Sequence, residues 1–183
     1  MDILAHTLWT NAGARGVNKL RERKGKPKIV SVGWTAFWGV APDFFAFTVP
    51  FLIVIFNVVT GKLALSSFGG HHMPVAGFDL ASYLYQYSHS LVVFAIVFLA
   101  VWAIYRRPRW ELLGWALHIL IDIPSHDIEF YATPFLFPIS DYRFPYGIAW
   151  SNMYYMIINY SALLLVWGGI MISKIKDRKI PIK

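Results

Sequence analysis

The sequence predicts an all-α protein, a polytopic membrane helical bundle with about four spans and a short N-terminal helix. Three observations predict it. Hydrophobic residues make up 57% of the 183 and charged residues 15%, against about 45–50% and about 25% in soluble domains. The apolar residues gather into four long stretches. The basic residues alternate with those stretches in the pattern of membrane topology signals. Residues 1–183 read as a single membrane-embedded domain, with no internal repeat and no low-complexity segment. Cysteine is absent, which excludes a disulfide scaffold, a thiolate zinc site, an iron–sulfur cluster and a cysteine nucleophile.

The chain opens on Asp2 and a short apolar run, Ile3 to Leu8. A signal peptide requires a basic leader and a longer apolar region. A short helix from about Asp2 to Ala14 is expected instead, at the interface or dipping into the membrane. The first span is expected near 29–60, interrupted by Pro42-Asp43 and Pro50. The second lies near 81–105 and the fourth near 147–173, each meeting the roughly 20 apolar residues that cross a bilayer core. The third, near 110–123, gives only about 21 Å of helix at about 1.5 Å per residue. It either stops short or finishes as irregular chain packed on its neighbours.

Of the 17 lysines and arginines, all but Lys62 and Arg143 lie in residues 13–28, in 106–109 or after the fourth span. Positive charge stays on the cytoplasmic side, so those segments and the C-terminus are placed in the cytoplasm. Residues 61–80 and 124–146 face the other side. Topology and lipid headgroups account for the formal charge of +7, and a nucleic-acid partner loses its main support. Tyr83, Tyr85 and Tyr87 at one end of the second span, and Trp102, Tyr105 and Trp110 near the other, suit the membrane interfaces. The 124–146 loop carries four prolines and is long enough to hold function or structure of its own.

Ionisable groups at membrane depth are costly and are functional candidates by default. Here they are His6, Asp43, His89, His118 and Asp122, with His126 just past the third span. His118 and Asp122, four apart in an apolar helix, share one face. An imidazole and a carboxylate at that spacing can grip zinc or manganese, or make a buried hydrogen bond that only holds helices together. Pro124 disfavours helix at Ile123, which frees His126 to turn toward the same point. Asp43 either joins such a site or caps a helix starting at Phe44. His89, in Ser88-His89-Ser90, and His6 are weak signals alone, and Asp2 is placed to orient His6. Counting along straight helices from the basic ends puts His6 and His118 at about 13–14 Å, Asp122 at about 20 Å, Asp43 at about 22 Å and His89 at about 25 Å. That range fits a polar cavity open to the outer side. His71 and His72 read as an exposed loop, Asn152 and Asn159 as hydrogen-bonding residues between helices, and Gly168-Gly169 as a packing contact. Ser88 and Ser90 flank a histidine without a triad pattern, and phosphate-loop and dinucleotide fingerprints are absent.

Met1-Asp2-Ile-Leu-Ala-His6, Pro42-Asp43, Ser88-His89-Ser90-Leu91, His118 to Asp122 with Ser125-His126, and Thr133-Pro134 to Pro138 with Phe144-Pro145 occur in that order. The ordered set resembles the family of membrane-bound, metal-dependent hydrolases, also described as LexA-binding, inner-membrane-associated hydrolases. That family is distantly similar to the zinc-dependent phospholipase C and single-strand nuclease superfamily. The resemblance implies that His6, Asp43, His89, His118, Asp122 and His126 ligate a divalent metal, zinc first and manganese second. Relatives continue the Pro-Asp motif with a second Asp and a His, where this chain has Phe45 and Ala46. They carry a His-Arg pair before the His-Ser, where it has Leu84-Tyr85-Gln86.

The expected function is hydrolysis of a phosphoester in a lipid or lipid-linked substrate, with Asp43, Asp122 and His118 as catalytic residues and Asp43 as general base. Arg143 is placed to hold a phosphate, among Asp127, Glu129 and Asp141 of the outer loop. A glutamate-type intramembrane protease fits less well, because Glu22, Glu111 and Glu129 are isolated. Transport without an inverted repeat is also less attractive. The non-enzymatic alternative is a membrane scaffold or regulator with a structural His/Asp cluster.

Overall fold

The computed structural model describes residues 1–63 and 78–179, and every regular element among them is helical. In order they are α1 (Ile3–Arg23), α2 (Val32–Trp38), α3 (Ala41–Val59), α4 (Phe78–Ser88), α5 (Leu91–Tyr105), a 3-10 turn (Trp110–Leu112), α6 (Leu113–Ser125) and α7 (Met153–Lys179). His71 and His72 lie outside the described residues.

Two helices, Ala41–Val59 and Met153–Lys176, are long and apolar enough to cross a membrane. A third span exists if Asp79–Ser88 and Leu91–Tyr105, bent by 58° at their junction, are taken as one. The structure therefore supports a helical membrane protein with fewer clear spans than the four expected. The first expected span is broken at Gly39-Val40 into α2 and α3, and the second at His89-Ser90 into α4 and α5. The third is a 3-10 turn and a 13-residue helix. Pro124 does not end α6, which runs on to Ser125 before His126 turns extended (φ −124°, ψ 133°). The fourth begins later than expected, at Met153.

α1 is longer than the Asp2–Ala14 helix expected. Asp2 caps it by accepting from Ala5 N at 2.9 Å. Gly13 and Gly16 do not stop it, and it ends where Gly25 takes φ +64°. Its buried side is small and polar: Ala5, His6, Thr10, Ala12, Ala14 and Asn18. Asn18 ties the returning chain to the helix, donating to Val30 O at 2.9 Å and accepting from Ile29 N at 3.1 Å. α7 lies against the start of α1, where Trp9 Nε1 donates to Asn159 Oδ1 at 2.8 Å and Tyr160 OH donates to Asp2 Oδ1 at 2.9 Å.

Two glycines allow the closest approaches around the centre. A Cβ on Gly39 would lie 2.3 Å from Thr10 Oγ1, and one on Gly114 would lie 2.1 Å from Thr35 O. These contacts press α2 between α1 and α6. By contrast, a Cβ on Gly168 or Gly169 would meet nothing within 4 Å, so that pair is not a packing contact among the described residues.

Asn159 makes the interhelical bond expected of it, but Asn152 does not. Asn152 Oδ1 accepts from Tyr154 N at 3.0 Å and Tyr155 N at 3.3 Å, which caps α7. Asn152→Ala is therefore expected to cost about 1 kcal/mol, read as a lower midpoint of thermal unfolding in detergent. An unchanged midpoint would show that the cap contributes nothing.

Candidate metal centre

Five elements meet at one point. α1 brings His6, and the first turn of α3 brings Asp43. The α4–α5 break brings His89, α6 brings His118 and Asp122, and the residue after α6 is His126. Asp43, His89, His118 and Asp122 each offer one ligand atom, and these atoms all lie within 4.8 Å of one another. His6, His89 and His118 are 0% exposed, Asp122 1% and His126 7%. The Asp43 side chain keeps 14% of its surface exposed, so it forms the accessible edge.

The spacings are those of a coordination shell. His89 Nε2 lies 3.0 Å from His118 Nε2, and Asp122 Oδ2 lies 3.1 Å from His118 Nε2 and 3.5 Å from His89 Nε2. Asp43 Oδ1 lies 3.4 Å from His89 Nε2 and 3.7 Å from His118 Nε2. Zinc bonds of about 2.0–2.1 Å in a tetrahedron put neighbouring ligand atoms about 3.3–3.4 Å apart.

The backbone and hydroxyl groups around the set fix which nitrogens face inward. His118 Nδ1 lies 2.7 Å from Gly39 O. A carbonyl only accepts, so Nδ1 carries a proton and Nε2 faces the carboxylates. His89 Nδ1 lies 2.9 Å from Ser88 Oγ, which leaves its Nε2 facing the same point. Both rings are also held face to face, His118 by His6 and His89 by Tyr85, each with centroids 3.7 Å apart.

Two imidazole Nε2 atoms and two carboxylates directed at one point favour a cation among them, and the Met1 ammonium stands only on the Oδ1 side of Asp122. Orphaned atoms say the same. Both ring nitrogens of His6 and Oδ2 of Asp122 are buried without an aligned hydrogen-bond partner. His6 Nε2 is nonetheless only 3.0 Å from Asp122 Oδ1. The other carboxylate oxygen faces a second group of donors: the Met1 nitrogen at 2.5 Å, Ser125 Oγ at 3.3 Å and His126 Nδ1 at 3.5 Å. Burial pushes the His126 imidazole down to about 4, against the pull of the Asp122 carboxylate, so it is neutral at pH 7.

Several expectations change. Straight-helix counting put Asp43 and His89 roughly 8–12 Å farther from the cytoplasmic side than His118. The breaks at Gly39-Val40 and His89-Ser90 let all of them meet instead. α3 begins at Ala41, so Asp43 sits inside its first turn and does not cap a helix starting at Phe44. Asp2 does not orient His6, because its carboxylate is engaged by Ala5 N and Tyr160 OH. Arg143 Nη1 donates to Ala132 O at 2.5 Å, and Asp127 Oδ1 accepts from Phe130 N, so both brace the outer loop.

Residues without an obvious sequence signal complete the site. The Gly39 carbonyl is one, exposed by the break between α2 and α3. Ser90 is another. Its Oγ accepts from Val92 N and Val93 N at 3.1 Å, capping α5, and donates to Phe137 O. Leu91 N donates to Phe135 O at 3.0 Å, so the outer loop is fastened to the same break. A serine beside a histidine at a helix interruption is the only signal that could have pointed there.

Among helical membrane proteins, this arrangement defines one with a buried histidine–aspartate group able to hold a metal ion. No family model, curated protein or solved structure matches this chain.

Proposed function

We propose that this protein is a membrane-embedded, metal-dependent hydrolase of the inner-membrane-associated family that its ordered motifs resemble. It acts on a phosphoester of a lipid or lipid-linked molecule. The observation that carries this reading is the convergence of Asp43, His89, His118 and Asp122. Two nitrogens and two carboxylate oxygens suit zinc first and manganese second. His6 and His126 stand beside Asp122 and complete the ligand group implied by the resemblance.

A divalent ion bound there supplies Lewis-acid polarisation and an acidified water. The protein does the rest. With the ion in place, His89 and His118 would present unprotonated Nε2 atoms, and Asp122 supplies negative charge between the histidines. Asp43, at the exposed edge, is placed to take a proton from an attacking water. Phe44 and Phe45 follow it on α3 and are 48% and 58% exposed, which favours an amphiphilic substrate arriving at that edge. The basic C-terminal tail lies in the cytoplasm of a prokaryotic inner membrane, and the surrounding partners are membrane lipids.

The test is elemental analysis of protein purified in detergent, paired with hydrolysis of phospholipids in mixed micelles. About one zinc or manganese per chain is expected, with metal-dependent release of a phosphate-bearing product. The double variant His118→Ala, Asp122→Ala should lose both. Equal metal in wild type and double variant would contradict the metal centre. Full metal without hydrolysis of any phosphoester would contradict the reaction and favour a structural cluster in a scaffold.

A further inference from the structure

We propose that Ser88 is a positioning residue that holds His89 in the tautomer a metal ligand needs, an inference that rests on the metal-centre reading. Ser88 is the last residue of α4 and is 4% exposed. Its Oγ lies 2.9 Å from His89 Nδ1 and 3.4 Å from Tyr85 O. Its carbonyl accepts from Trp115 Nε1 at 2.6 Å, which fixes Ser88 to the helix that carries His118 and Asp122. Tyr85 stacks on the His89 ring, and Tyr85 OH donates to Tyr131 O at 2.9 Å. The ring plane and the backbone beside it are thereby set, and the remaining freedom is which nitrogen holds the proton.

His118 has a partner that can only accept, the Gly39 carbonyl, so its tautomer is fixed. His89 has a hydroxyl, which accepts or donates by rotation. When Ser88 Oγ donates to Nδ1, the proton of His89 sits on Nε2 and points to His118 Nε2, 3.0 Å away. When Ser88 turns its hydrogen to Tyr85 O, it accepts from Nδ1–H, and Nε2 becomes a free donor atom for a cation. The two states hold the same number of protons. The serine hydroxyl thus serves the metal-free and metal-bound states without leaving a buried ring nitrogen unpaired. Partners of this kind around metal-bound histidines set ring orientation and ligand strength, and their loss weakens metal binding by about 10–100-fold.

The experiment compares wild type, Ser88→Ala, Ser88→Thr and Asn152→Ala in detergent. Zinc affinity is measured by competition with a chelating dye, and ligand geometry by the visible absorption of bound cobalt(II). Ser88→Ala is expected to bind zinc about 10–100-fold more weakly and to shift the cobalt bands. Ser88→Thr, which keeps the hydroxyl, should stay within about threefold of wild type, well short of the loss expected without it. Asn152→Ala should cost thermal stability through the lost α7 cap and leave the cobalt bands in place. Equal zinc affinity in Ser88→Ala and wild type overturns the inference while leaving the metal centre standing. Wild type that binds neither metal overturns both. If Ser88→Ala does not fold, nitrogen-15 NMR of the zinc-loaded wild type decides. A proton on His89 Nδ1 supports the inference, and a proton on Nε2 overturns it.

Discussion

Replacing Asp122 with alanine is expected to reduce the metal content of the purified protein below about a tenth of wild type and to lower its stability by about 3 kcal/mol or more. Asp122 is the hub of the site. One oxygen lies 3.1 Å from His118 Nε2 and 3.5 Å from His89 Nε2. The other lies 3.0 Å from His6 Nε2 and 3.5 Å from His126 Nδ1. Removing it leaves four buried imidazoles with Asp43 as the one carboxylate near them among the described residues, and Asp43 stands at the edge. The loss should exceed that in His126→Ala, because His126 touches only one side of Asp122. Metal analysis and thermal unfolding of the two variants, purified side by side, check this. Wild-type metal content in Asp122→Ala would show that the carboxylate is not a ligand.

Gly114→Ala is the second large effect expected, and it acts through packing. The added Cβ would lie 2.1 Å from Thr35 O and 3.1 Å from Gly39 N, both backbone atoms that cannot rotate away. α2 and α6 must separate to admit it. Overpacking of this kind costs about 1–3 kcal/mol and occasionally more, and here the upper end is expected because backbone meets backbone. The separation also moves the Gly39 carbonyl away from His118 Nδ1, which it meets at 2.7 Å. Gly114→Ala should therefore lower both the unfolding midpoint and zinc affinity, although it lies outside the ligand group. Gly168→Ala is the control, since nothing lies within 4 Å of its added Cβ, and neither quantity should change. An equal result for the two glycines would contradict the packing described for α2 and α6.

The helical class and most of the candidate site were legible in the sequence, for one reason. Charged and imidazole side chains in apolar stretches stand out against a background where they are expensive. His118 and Asp122 were placed correctly on one face, because a four-residue spacing survives any tilt of their helix. What could not be read was the backbone. Depth counting assumed straight helices, yet the chain turns at Gly39-Val40 and at His89-Ser90. Those turns bring Asp43 and His89 level with His118. Local composition marks both places, with Gly39 and Pro42-Asp43 at the first and Ser88-His89-Ser90 at the second, but it does not say that the helix stops there or where the chain turns next. The Gly39 carbonyl is invisible for the same reason, being a backbone atom freed only where a helix stops. Asn152 was misread because an asparagine near the start of a span suits a cap as well as an interhelical bond, and only its place just before Met153 decides. Asp43 posed the same choice, and the start of α3 at Ala41 settled it.

The central claim is that two imidazoles and two carboxylates, brought together from α3, the α4–α5 break and α6, enclose one cation. X-ray absorption at the metal edge of zinc-loaded protein tests it most directly. A first shell of nitrogen and oxygen at about 2.0–2.1 Å is expected, with imidazole scattering from two rings that falls to one ring in His89→Ala. Zinc surrounded by oxygen alone, or a spectrum that His89→Ala leaves unchanged, would contradict it.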